Sequence, residues 1–154
     1  MLISRRHLLF TLATGAVASA LPTVASAAQD PIYTGFLSSV AIDGHDPVAY
    51  FSQSKPIEGS EKFAYEWMGA TWHFSSAKNR EAFKENPEKF APQFGGYCAW
   101  AVAQGDTASA DPKAWKIVNN KLYLNYSSDI QRRWEKDISG NITRGDKNWP
   151  HVLN

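Results

Sequence analysis

Between residues 63 and 74 large apolar side chains recur at every second position. Phe63, Tyr65 and Trp67 lie on one side of Met68-Gly69, and Trp72 and Phe74 on the other. A two-residue period belongs to a strand with one buried face, so the spacing predicts strands over 63–67 and 70–74 joined at Met68-Gly69. His73 then falls on the face opposite Trp72 and Phe74. A second pair of runs, Trp115-Lys116-Ile117-Val118 and Lys121-Leu122-Tyr123-Leu124-Asn125, flanks Asn119-Asn120. Asparagine tolerates positive φ, which predicts a two-residue hairpin there. Leu37-Ser38-Ser39-Val40-Ala41-Ile42 reads as one more short strand, stopped by Asp43-Gly44.

Elsewhere the pattern is helical. Asp46 before Pro47 suits an N-cap with proline at the first helical position. Ser75-Ser76 caps a helix over 77–85, which Asn86-Pro87 interrupts. Ser127-Ser128 caps another, whose Ile130, Trp134 and Ile138 stand four residues apart as one apolar stripe; Arg132, Arg133, Glu135, Lys136 and Asp137 form its solvated face. Residues 139–154 carry no predicted element, although Trp149 is expected to pack back on the domain. Hairpins alternating with short helices predict an α+β fold, a small antiparallel sheet with helices packed on it.

The N-terminus follows neither pattern. Ser4-Arg5-Arg6 precedes an uncharged apolar run from Leu8 to Leu21, and Ala25-Ser26-Ala27 closes it. A basic start, an apolar middle and a small-residue end make a secretory signal; the adjacent arginines resemble the twin-arginine export motif. The run is too short to span roughly 30 Å of hydrocarbon as a helix, so no membrane span is expected after cleavage. The reading is a removed signal over 1–27, an N-terminal arm over 28–35 and a domain over 36–154, exported to the periplasm. The first 27 residues hold two of the 16 Lys and Arg and none of the 15 acidic residues, so the remainder is within one charge of neutral. That balance provides no field for nucleic acid. All six Trp and all six Tyr lie in the mature part, enough to build a core or line a pocket.

Three stretches together resemble a known family. They are Gly44-His45-Asp46-Pro47-Val48-Ala49-Tyr50-Phe51; Trp72-His73-Phe74-Ser75-Ser76 followed by Asn79-Arg80-Glu81-Ala82-Phe83 and Asn86-Pro87-Glu88-Lys89-Phe90; and Gly95-Gly96-Tyr97-Cys98-Ala99. They are similar to the YHS domain, in a longer exported form that also carries a terminal pattern like Asp146-Lys147-Asn148-Trp149-Pro150. The resemblance spans about residues 36–150 and implies metal binding, often of copper. Short members carry cysteines in Asp-Pro-Val-Cys, in Phe-Cys-Ser and four residues beyond. Here those positions are Ala49, Ser75 and Asn79, none of which can be a thiolate, so that site does not carry over.

What remains is the single cysteine. Cys98 can form no disulfide within the chain, and in an exported protein it is either a small apolar filler, a metal ligand, a redox thiol or an intermolecular bridge. A thiolate with imidazole suits copper first and zinc second. His45, held in a turn by Gly44 and oriented by Asp46, is the best partner; His73 reads as a strand histidine and His151 as incidental. Cys98 and His45 supply two firm ligands where structural zinc takes four, so the pair predicts an open copper-like site, or one completed by Tyr, Asp, water or a second chain in a homodimer. Asp46, Tyr50, His73, Gly95, Gly96 and Tyr97 are its expected surroundings. No phosphate-binding loop or dinucleotide fingerprint is present, and the expected role is non-catalytic. Two alternatives stand beside it: a metal-free domain binding a small ligand or a protein through its aromatics, and a thiol redox protein using Cys98.

Overall fold

The computed structural model describes residues 28–35 and 37–154, and the signal reading of 1–27 lies outside them. Two antiparallel hairpins carry the fold. The first pairs β1 (Ser60–Trp67) with β2 (Ala70–Phe74), in register from Ala64 opposite His73 to Trp67 opposite Ala70, with a shift between Ser60 and Ala64. The second pairs β3 (Asp111–Val118) with β4 (Lys121–Asn125), Trp115 facing Leu124 and Val118 facing Lys121. Met68-Gly69 and Asn119-Asn120 turn the hairpins with positive φ at both central residues, the backbone twist that matches right-handed strands. The fold is α+β as expected, but the hairpins remain two separate two-stranded sheets.

Helices close the gaps. After α1 (Pro47–Ser52) and the first hairpin come α2 (Ala77–Glu85), capped by Ser76, and α3 (Pro87–Phe90), capped by Asn86. α4 (Ala99–Ala103) leads into the second hairpin; α5 (Ser128–Glu135), capped by Ser127, and α6 (Ile138–Asn148), capped by Asp137, follow it. Among the described residues no helix is long and apolar enough to cross a membrane.

Two expected elements differ. The strand over 37–42 shrinks to a single parallel bridge from Val40 to Thr71, because Ala41–Gly44 coils into a 3-10 turn with Ile42 at φ 52° and Asp43 at φ 46°. The helix predicted through Ile138 ends at Glu135; Asp137 starts a new one, its carboxylate accepting from the Gly140 N–H at 3.0 Å. Ile138 therefore opens α6, which runs through the tail read as unstructured.

The buried side chains form two clusters. One gathers Tyr50, Trp72, Phe74, Phe83, Leu122 and Leu124 between the hairpins, α1 and α2. The other joins Phe94, Tyr97, Val102, Tyr123 and Trp134 beneath α4–α6.

Candidate functional site

Residues of the first two signature stretches converge on one carboxylate. Asp46 is fully buried and caps α1, its Oδ1 accepting from the Val48 and Ala49 N–H groups at 2.9 and 3.3 Å. Its Oδ2 accepts from the Ser75 N–H at 2.8 Å, the Ser75 hydroxyl at 2.7 Å and the Asn79 amide at 2.7 Å. Ala49, Ser75 and Asn79, the positions the resemblance singled out as lacking cysteine, all donate to Asp46. A buried charge is tolerable only when paired or fully hydrogen-bonded, and these five donors meet that condition. The node ties α1 to the junction of β2 and α2.

His45, beside it, is 8% exposed; its Nδ1 lies 3.1 Å from the Ile42 carbonyl and its backbone bridges Glu58. His73 packs its ring against Gly44, the residue before His45. Tyr50 donates to the Pro112 carbonyl at 2.8 Å and meets Trp115 edge-on at 5.2 Å, so it ties α1 to β3 within the core. Burial, then the nearby Asp111, Asp43 and Asp46 carboxylates, pushes its phenol well above the usual range.

Cys98 has other neighbours. It is the N-cap of α4 and 1% exposed; its Sγ accepts from the Tyr126 N–H at 3.3 Å and lies 3.8 Å from Asn125 Oδ1. These partners and those of His45 share no residue. Among the described residues no three His, Cys, Asp or Glu side chains are grouped to hold a metal ion. Among the described residues the donors do not fit a closed metal site.

Gly95, Gly96 and Tyr97 clamp the N-terminal arm. Gly95, at φ 60°, sits so close to the Pro31 carbonyl that a Cβ would collide with it, and its own carbonyl accepts from the Tyr33 N–H at 2.9 Å. Gly96 turns the chain at φ 84°. Tyr97 donates to the Asp30 carbonyl at 2.8 Å and packs on Tyr33 and Trp149 at 5.3 and 6.0 Å. Burial chiefly, then Asp30 and Tyr33, raises its phenol pKa.

Gly95 and the Pro31-Ile32 stretch it holds line an open groove of about 740 Å³, whose place in the fold sequence reasoning missed. Trp67, Phe94 and Trp149 give it an aromatic lining; Met68 and Asn119-Asn120, the tips of the two hairpins, stand on its edges, with Lys89, Lys121 and Glu88 as charges. Its residues are scattered from Pro31 to Leu153, so no local pattern announces it. Two signals were in the sequence: the aromatics, Trp67 among them, read as able to line a pocket, and the expectation that Trp149 folds back, which it does against Phe94 at 6.0 Å.

The sequence model of the YHS domain matches residues 48–94. The match covers Ala49, Ser75 and Asn79 but ends before Cys98 and begins after His45. No curated protein and no solved structure matches the chain.

Proposed function

We propose that this chain is an exported, non-catalytic binding module with a YHS-type segment, taking a small apolar or aromatic ligand with an anionic end in the groove between the hairpin tips. The observation that carries the reading is the groove itself. Its volume, near 740 Å³, falls in the range of small-molecule sites, which are mostly apolar with a few polar groups fixing orientation. Trp67, Phe94 and Trp149 supply flat apolar surface. Lys89 and Lys121 outnumber Glu88 at the edge and suit a carboxylate or sulfonate. Export is supported by Ser4-Arg5-Arg6, the apolar run after it and Ala25-Ser26-Ala27.

An anilinonaphthalene sulfonate dye, apolar with one anionic group, is the test probe. Saturable binding at one site is expected, weakened about tenfold by Trp149→Ala through lost apolar contact. Met68→Asn separates binding from folding. Met68 holds φ 49° at an exposed turn tip, where asparagine is the better residue. The variant should match or exceed the parent in stability and still bind more weakly. Unchanged affinity in both variants would remove the groove as the site.

The YHS match favours a second reading, because that domain is usually linked to metal handling. Cys98 and His45 are the donors the chain offers for copper, or for zinc, with a second chain completing the set. Elemental analysis of exported protein against a Cys98→Ala control decides it: equal metal content in the two ends this reading.

A further inference from the structure

The turns that lead into α1 and α4 are alike. Ile42, Asp43 and Gly44 hold φ 52°, 46° and 77°; Phe94, Gly95 and Gly96 hold 57°, 60° and 84°. The His45 N–H then donates to the Ile42 carbonyl at 2.9 Å, and the Tyr97 N–H to the Phe94 carbonyl at 3.0 Å. The next residue, Asp46 or Cys98, is the N-cap of a short helix. The likeness continues down the chain. β1 and β3 have eight residues each, β2 and β4 five, and each hairpin shifts register just before Ala64 or Trp115. Ser76 and Ser127 cap the helices that follow, Asn86 and Asp137 the ones after those. Phe83 lies on Trp72 at 5.0 Å and 34°, Trp134 on Tyr123 at 5.3 Å and 36°. The offset is 52 residues at the turns and first caps (42 to 94, 46 to 98) and 51 from the first strand on (60 to 111, 76 to 127, 83 to 134).

We infer that the chain holds two copies of one folding unit, residues 40–91 and 92–148, and that the groove is built where the copies meet. Few residues are common to both, Gly44 with Gly96 and Ser76 with Ser127 among them, and the YHS match over 48–94 falls almost wholly on the first. The equivalence assigns roles. In the first copy Asp46 Oδ1 accepts from the Val48 N–H and Oδ2 from the Ser75 N–H. In the second, two side chains share these duties: Asn125 Oδ1 accepts from the Trp100 N–H at 3.2 Å and Cys98 Sγ from the Tyr126 N–H at 3.3 Å. Cys98 is the counterpart of Asp46, tying α4 to the end of β4. Trp67 and Met68 bring the first copy's hairpin tip to the groove, and Asn119, Asn120 and Lys121 bring the second's. Lys121 stands where the first copy has the buried Ala70. Resting on the groove reading, the second copy therefore supplies a cation for the ligand's anionic end.

Transplanting the Asp46 node tests the equivalence in the full chain. Ser75 and Asn79 correspond to Tyr126 and Ile130, so Cys98→Asp with Tyr126→Ser and Ile130→Asn rebuilds in the second copy the donors of the first. In the parent, Tyr126→Ser with Ile130→Asn should lower the urea midpoint through lost apolar contact. In the Cys98→Asp background the same two changes should raise it, because a buried carboxylate is stable only when its oxygens meet donors. A triple variant that folds where Cys98→Asp alone does not is the same result at its extreme. A lowered midpoint in both backgrounds, or a triple variant that fails to fold, overturns the two-copy assignment. At the groove, Lys121→Ala should weaken the sulfonate dye up to about fivefold, the size of an exposed ion pair, and leave binding of the uncharged phenylnaphthylamine unchanged. If Trp149→Ala weakens the dye and Lys121→Ala does not, the groove remains the site and the second copy's lysine has no part in it.

Discussion

At Asp46 the chain buries a whole carboxylate and surrounds it with five N–H and O–H donors from Val48, Ala49, Ser75 and Asn79. Removing it leaves the buried Val48 and Ala49 N–H groups without a partner, and each costs about 1–3 kcal/mol when left unmade. Asp46→Ala should therefore lower stability by roughly 3 kcal/mol. Asp46→Asn should do nearly as badly, because the amide turns one acceptor into a donor that faces other donors. Urea denaturation measures both; a loss under about 1 kcal/mol would show that the node is dispensable. Half of this node is legible in the sequence: Asp-Pro is a helix start, and the Asp46 cap is where that rule puts it. The other half, Ser75 and Asn79 reaching the same carboxylate from another element, is a tertiary fact that no spacing encodes. The same limit applies to Cys98 and His45, which ligand chemistry pairs but whose hydrogen-bond partners lie on different elements.

At the scale of elements, caps and turns were the readable part. Asp46, Ser76 and Ser127 each accept from the first turn of a helix, and Met68-Gly69 and Asn119-Asn120 each make a hairpin. α6 was hidden because Gly140, Thr143 and Gly145 are weak helix formers. Its Ile138 and Ile142, with Trp149 just past its end, nevertheless flank the second cluster, and tertiary packing overrides propensity there. Gly145 explains why so poor a former sits mid-helix: a Cβ at that position would come 2.6 Å from Phe94 Cζ. Two effects oppose each other in Gly145→Ala. Helix propensity gains about 1 kcal/mol, whereas overpacking costs typically 1–3 kcal/mol. The aromatic ring is held against Tyr123 and Trp149 and has little room to yield, so a net loss near 1 kcal/mol is expected. In a Phe94→Leu background the sign should reverse, since the smaller side chain vacates the space. Thermal melts of the two singles and the double separate these terms, and a Gly145→Ala variant as stable as the parent would place the ring elsewhere.

For the whole molecule, the two hairpins share no strand pairing, so their union rests on side chains. Tyr50, clustered with Trp72 and Phe74 of the first hairpin, donates from α1 to the Pro112 carbonyl of the second, and Tyr123 lies under Trp134 at 5.3 Å in the second cluster. Both phenols are raised by burial first and nearby carboxylates second; for Tyr123, with Asp146 as the added charge, the value reaches about 12. Unfolded, each would titrate near 10. An acid whose folded pKa exceeds its unfolded one stays protonated in the native state while the unfolded chain releases its proton. Stability contributed by that difference is complete below pH ~10 and disappears as the pH rises toward the folded value. For Tyr123 the two-unit gap corresponds to about 2–3 kcal/mol, an upper limit since water reaches part of any opened state. The protein should thus lose stability between pH ~10 and about 12 with a slope that Tyr123→Phe makes shallower, and phenolate absorbance from the buried tyrosines should appear together with loss of tertiary circular dichroism. If those phenolates form while the fold persists, Tyr50 and Tyr123 are in contact with solvent, and their burial contributes nothing to stability.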